Sequence, residues 1–120
     1  MWLITPFGFF SIVDKDPTGQ GRLCVRARVE DDLSRLRDKY LPELSATERS
    51  QSTDYEYRAY GDREVVSRAV SQMALDIDYP NMKAAAELQL GIERELIYTR
   101  AWSALLALKP RGRFPSYNES

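Results

Sequence analysis

The sequence predicts an α+β fold: a small three-stranded antiparallel sheet with helices packed on one of its faces. Three observations predict it. Segments 7–13, 22–29 and 54–60 carry the aromatic, β-branched or alternating residues that suit strands. Segments 30–41, 62–77 and 82–109 repeat apolar residues at helical spacing. Their order, β-β-α-β-α-α, sets helices against one side of a sheet. A chain of 120 residues has room for one core. Residues 1–109 are therefore expected to form a single domain, and residues 110–120 a polar, slightly basic tail.

Each element has its own grounds. Residues 7–13 (FGFFSIV) have strand composition, and DKDPTGQG at 14–21 is a dense turn cluster, so a hairpin with a long loop leads into the second strand. That second strand alternates cleanly, with Leu23, Val25, Ala27 and Val29 on one face and Arg22, Cys24, Arg26 and Arg28 on the other. Glu30, Asp31 and Asp32 suit the positive end of a helix, which continues through Leu33, Leu36 and Tyr40 until Pro42 stops it. Residues 43–53 are polar and read as a loop. In the third strand the alternation of DYEYRAY puts Tyr55, Tyr57 and Ala59 on the core face, with Glu56, Arg58 and Tyr60 outward.

Gly61 and Asp62 end that strand and cap a helix whose stripe is Val66, Ala69, Val70, Met73 and Ile77. Asn81 is placed to cap the last helical region, Gly91 is placed to break it, and Ile92, Leu96, Trp102, Leu105 and Leu106 are expected to mark its buried face. A right-handed crossover from the second strand to the third lays the third beside the first, which gives the strand order 2-1-3. Pro6 fits if pairing begins after it. Such a sheet leaves two open edges, through which the chain can form a homo-oligomer.

Composition narrows the chemistry. Histidine is absent, which removes His-based acid–base catalysis, Ser-His-Asp and Cys-His nucleophiles, and His-ligated metal sites. Cys24 is the single cysteine, so the chain forms no internal disulfide, as suits a cytoplasmic protein. No signal peptide or membrane-length apolar run is recognisable, and no phosphate loop or other motif implies a cofactor. Seventeen basic and eighteen acidic residues leave a net charge of −1, so no global field marks a nucleic-acid or membrane partner.

Candidate functional residues lie mainly on the sheet face turned away from the helices. Arg22, Arg26, Arg28, Arg58 and Tyr60 are expected there together, as a platform of guanidinium groups and rings. The competing expectation is that these arginines pair with nearby acids and form a solvated face. Residues 5–12 (TPFGFFSI) resemble the octapeptide of RNA-recognition-motif domains at Phe7, Gly8 and Phe9. Thr5, Pro6 and Ile12 replace its basic residue, first glycine and last aromatic, and plain packing of Phe7 and Phe9 is the alternative. Asp76 and Asp78, with Lys83, Glu87 or Glu93 downstream, make a weak magnesium-type pattern that a helix end followed by a turn explains equally well. Cys24, flanked by arginines, has a lowered pKa only if exposed.

The segments MWLITPFGFFSIV, LCVRARV, DYEYR and DIDYPNMK resemble a set of short, uncharacterised bacterial proteins with this layout, from Met1 to about Leu108. The resemblance implies a bacterial or bacterial mobile-element origin and carries no activity or site residue. The residues point first to a non-catalytic cytoplasmic interaction module with a protein partner, regulatory or inhibitory in role. The second expectation is a binder of single-stranded RNA or DNA using Arg22, Arg26, Arg28, Arg58, Tyr60, Phe7 and Phe9. A metal-dependent nuclease at Asp76 and Asp78 is the third.

Overall fold

The computed structural model describes residues 1–110. The described residues divide into two compact units, the first Met1–Asp78 and the second beginning at Tyr79. The expected tail lies outside the described residues, apart from Pro110.

The first unit is α+β, and its antiparallel sheet has five strands where three were expected. The strands are β1 (Trp2–Thr5), β2 (Gly8–Val13), β3 (Leu23–Ala27), β4 (Glu48–Arg49) and β5 (Tyr57–Gly61), in the order β1-β2-β3-β5-β4. The expected order 2-1-3 is corrected: the strand beginning near Tyr57 lies against β3, not against β2. Local hydrogen bonding explains why. Thr5 Oγ1 donates to the carbonyl of Gly8 at 2.7 Å and accepts the Phe7 N–H at 3.3 Å, so residues 5–8 close a tight turn around Pro6. The N-terminal segment folds straight back and occupies the edge of β2 that β5 was expected to use. Residues Ile12 and Met1 close the far end of this hairpin in both directions: the Met1 ammonium donates to Ile12 O at 2.9 Å and Ile12 N–H donates to Met1 O at 2.8 Å. Pro6 is thus a turn residue, not an interruption in a strand.

The β2–β3 hairpin forms as expected, with a long loop between Val13 and Leu23. The alternation of β3 holds within Leu23–Ala27, where Val25 and Ala27 are fully buried in the core; Val29, expected on the same face, lies beyond the strand at the N-cap of α1 and is exposed. Helices α1 (Glu30–Lys39) and α2 (Arg63–Leu75) contribute Leu33, Leu36, Val66 and Ala69 to the same core. Phe10, Ile12, Val25, Ala27 and Ala59 meet them from the inner sheet face. Strand β4 falls in the segment expected to be loop; at two residues it is too short to give a periodic signal.

Helix α1 also fastens the first hairpin. Buried Asp32 accepts the Phe9 N–H at 3.0 Å, and Arg35 donates to the Phe7 carbonyl at 2.8 Å while pairing with Asp32. The first two turns of the helix therefore satisfy backbone groups at the hairpin end.

The second unit is a helical hairpin of α3 (Met82–Leu90) and α4 (Ile92–Leu105), followed by a 3₁₀ turn at Leu106–Leu108. Asn81 Oδ1 accepts the Ala84 N–H at 3.0 Å, the N-cap expected from the sequence. Gly91 breaks the helix with φ of 96°, a backbone conformation open to glycine at little cost. Ala86 and Tyr98 are buried, and the Lys83 ammonium lies 4.1 Å above the Trp102 ring centroid. The buried face expected for the last helix is corrected: Ile92, Leu96 and Leu105 are exposed, Trp102 and Leu106 are half-buried, and α4 buries Tyr98 instead. No helix among the described residues is long and apolar enough to cross a membrane.

Candidate functional site: the outer face of the sheet

Strand pleating sends every second side chain away from α1 and α2. Strand β2 directs Phe9, Ser11 and Val13 outward, β3 directs Cys24 and Arg26, and β5 directs Arg58 and Tyr60. Backbone register aligns Ser11 with Arg26 and Arg26 with Arg58, so the two guanidinium stems lie side by side across neighbouring strands. The next outer row is Val13, Cys24 and Tyr60.

Tyr55 occupies the middle of the basic region. Its ring is buried, as expected, but the expected face is corrected: it lies on the outer side of the sheet and not in the core cluster with Ala59. Pairing on β5 starts only at Tyr57, after a turn in which Ser50 N–H donates to Glu56 O at 2.6 Å. Thr53 Oγ1 donates to the Tyr55 carbonyl at 2.8 Å. Tyr55 therefore precedes the strand and escapes its alternation. The Arg26 and Arg28 guanidinium carbons lie 4.4 and 4.7 Å from the Tyr55 ring centroid. Phe9 is the next ring at 6.2 Å, and Trp2 meets Phe9 edge-to-face at 5.9 Å. Trp2 is 69% exposed.

Among the described residues, three of these cations have no carboxylate partner. Arg26 donates to Ser11 Oγ at 2.7 Å, and Arg58 donates to Thr53 Oγ1 at 3.1 Å and the Tyr55 carbonyl at 3.2 Å. Arg28 is exposed and stacks on Tyr55. Among the described residues none of the three closes an ion pair, although Glu48 stands opposite Arg58 in the register. The Nε groups of Arg26 and Arg58 are both buried without a hydrogen-bond partner. Stacking and neutral acceptors thus fix the guanidinium groups while leaving their charge unneutralised. Such an arrangement is suited to receiving carboxylate or phosphate oxygens.

The remaining candidates fall elsewhere. Arg22 is tied to Asp16 by two side-chain contacts of 3.0 and 3.1 Å, and its own N–H donates to the same carboxylate at 3.0 Å. The Arg22 guanidinium holds the Asp16 carboxyl well below the usual carboxylate range. This pair clamps the β2–β3 loop, and the guanidinium lies 4.8 Å from the Tyr60 ring centroid. Arg22 therefore follows the expectation of acid pairing, whereas Arg26, Arg28 and Arg58 do not.

Phe7 lies in the turn before β2 and is buried against Phe10 at 5.8 Å and Tyr40 at 5.5 Å. Phe7 and Phe9 consequently sit on different sides of the sheet and share no stacking surface. Cys24 is fully buried, and burial pushes its thiol up against the opposing pull of the Arg58 and Arg26 charges. Burial likewise raises the Tyr60 phenol. Asp76 ends α2 and accepts from Tyr40 Oη at 2.9 Å and Gln72 Nε2 at 2.7 Å. Among the described residues no group of three acidic, cysteine or histidine side chains is gathered as metal ligands would be.

Sequence reasoning missed Tyr55 and Trp2 as members of the outer face. The polar run SQSTD at 50–54 signalled a turn, but its effect on the parity of Tyr55 depends on long-range pairing. Comparison with family models, with curated proteins and with solved structures finds no match for the chain.

Proposed function

We propose that the chain is a non-catalytic cytoplasmic interaction module whose outer sheet face receives an acidic patch on a protein partner, in a regulatory or inhibitory role. One observation carries this: Arg26, Arg28 and Arg58 surround Tyr55 without a carboxylate partner among the described residues. Arginine, tyrosine and tryptophan dominate the energetics of protein interfaces, particularly where they are held rigid before binding. Stacked guanidinium groups lose little freedom when a carboxylate arrives, and their planar forks match its two oxygens.

A second occupant has one observation in its favour. Exposed Trp2, edge-to-face on Phe9, offers a ring to an unstacked base of single-stranded RNA or DNA.

The test is affinity capture from the native host with the wild type and Arg28→Glu, together with retention of labelled single-stranded oligonucleotides at low salt. A defined protein recovered by the wild type and lost by Arg28→Glu supports the proposal. Oligonucleotide retention that falls steeply with salt and disappears in Arg26→Ala/Arg28→Ala overturns it in favour of nucleic acid. Capture that is indifferent to Arg28→Glu also overturns it.

A further inference from the structure

We infer that the exposed face of α4 is a homodimer surface, on which a second copy of this chain docks antiparallel through its own α4. Residues Ile92, Glu93, Leu96, Ile97 and Arg100 follow the spacing i, i+1, i+4, i+5, i+8, which gathers them on one side of a helix. The other side carries buried Tyr98. Ile92, Leu96 and Ile97 are 54%, 50% and 55% exposed, so three large aliphatic side chains stand together in water. Single exposed aliphatics are common, but a contiguous set flanked by charge marks a contact surface.

The charges on this face identify its occupant. Glu93 and Arg100 make no ion pair among the described residues. Glu93 precedes Leu96 by three residues and Arg100 follows Ile97 by three. An antiparallel copy centred between Leu96 and Ile97 therefore sets Glu93 against the partner's Arg100, and Arg100 against the partner's Glu93. Leu96 meets the partner's Ile97, and the two-fold axis repeats that contact. Self-complementarity of this kind is what an isologous two-fold interface requires. A parallel copy in register would oppose Glu93 to the partner's Glu93 and Arg100 to the partner's Arg100, so charge also selects the direction. The contact is short, because a 14-residue helix is about 21 Å long. An interface of this size gives a reversible dimer rather than an obligate one.

Sedimentation velocity of the full chain, from about 5 to about 500 μM to bracket a weak dimer, tests the inference. The wild type is expected to move from monomer to dimer across that range. Arg100→Glu and Glu93→Arg each place like charges opposite one another in the homodimer and should weaken it at least about tenfold. Mixing the two variants in equal amounts restores both opposite-charge pairs, so the mixture should dimerise like the wild type. A variant that had merely lost its fold could not be rescued in this way. A wild type that stays monomeric throughout overturns the inference. So does a dimer that neither charge reversal weakens, the result expected of pairing through the β1 edge, and so does a mixture that stays monomeric.

Discussion

Arg22 and Arg26 lie four residues apart on the same side of one chain segment, yet their neighbours give them different work. Asp16 reaches Arg22 because the β2–β3 loop curls back over the start of β3. Arg26 faces a ring and a serine hydroxyl, neither of which cancels its charge. Asp16 has a carboxyl pKa below its unfolded value of about 3.9, so its stabilising effect is complete above that pH and is lost as pH falls through the folded value. Asp16→Asn should melt at a lower temperature than the wild type at neutral pH, and the difference should shrink as pH falls below about 4. Thermal melts across that range check this; a difference that stays constant in acid would contradict it. Cys24 gives a second check. A buried thiol with a raised pKa should react with a thiol reagent only as fast as the protein unfolds, and rapid labelling of the native protein would contradict its placement.

The first hairpin and α1 depend on each other at the scale of elements. Gly8 leaves no room for a side chain: a Cβ there would meet Phe10 Cζ at 2.8 Å and the Asp32 Cβ and Cγ at 2.9 Å. Both neighbours are buried, and Asp32 is held by the Phe9 N–H, so neither can move freely. Gly8→Ala should cost about 1–3 kcal/mol in urea unfolding, the range of an overpacked core. Gly19→Asn should cost less than about 1 kcal/mol, since nothing lies within 4 Å and asparagine tolerates positive φ. Equal losses at the two sites would contradict the close packing of the hairpin on α1. Local signals made several elements legible in the sequence: the acidic start of α1, the Asn81 cap, the Gly91 break and the alternation of β3. The strand order was not legible. It depends on which segment reaches the open edge of β2, and a turn around Pro6 decides that within eight residues of the N-terminus. The face of Tyr55 was not legible for a related reason: it lies in a turn before β5, where pairing with β3 has not begun and alternation does not apply.

At the scale of the molecule, a net charge of −1 conceals local separation. Residues 21–60 are neutral in sum, eight basic against eight acidic, yet Arg26 and Arg28 stack on the Tyr55 ring and Arg58 donates to its carbonyl, while Asp31 and Asp32 sit in the first turn of α1. The absence of histidine removed a large class of enzymes, and the function proposed for the outer face needs none. Arg28 and Arg68 offer a direct comparison, since both are exposed, but Arg68 belongs to α2, whose Val66 and Ala69 pack into the core. The decisive measurement is calorimetric affinity for the purified partner recovered by capture, for wild type, Arg28→Glu/Arg58→Glu and Arg68→Glu, with all three shown to melt alike. The outer-face reversal should weaken binding about thirtyfold or more, as loss of an interface hot spot does, with Arg68→Glu within about twofold of wild type. Equal affinities for all three, or an equal loss in both variants, would contradict the assignment of the outer sheet face as the binding surface.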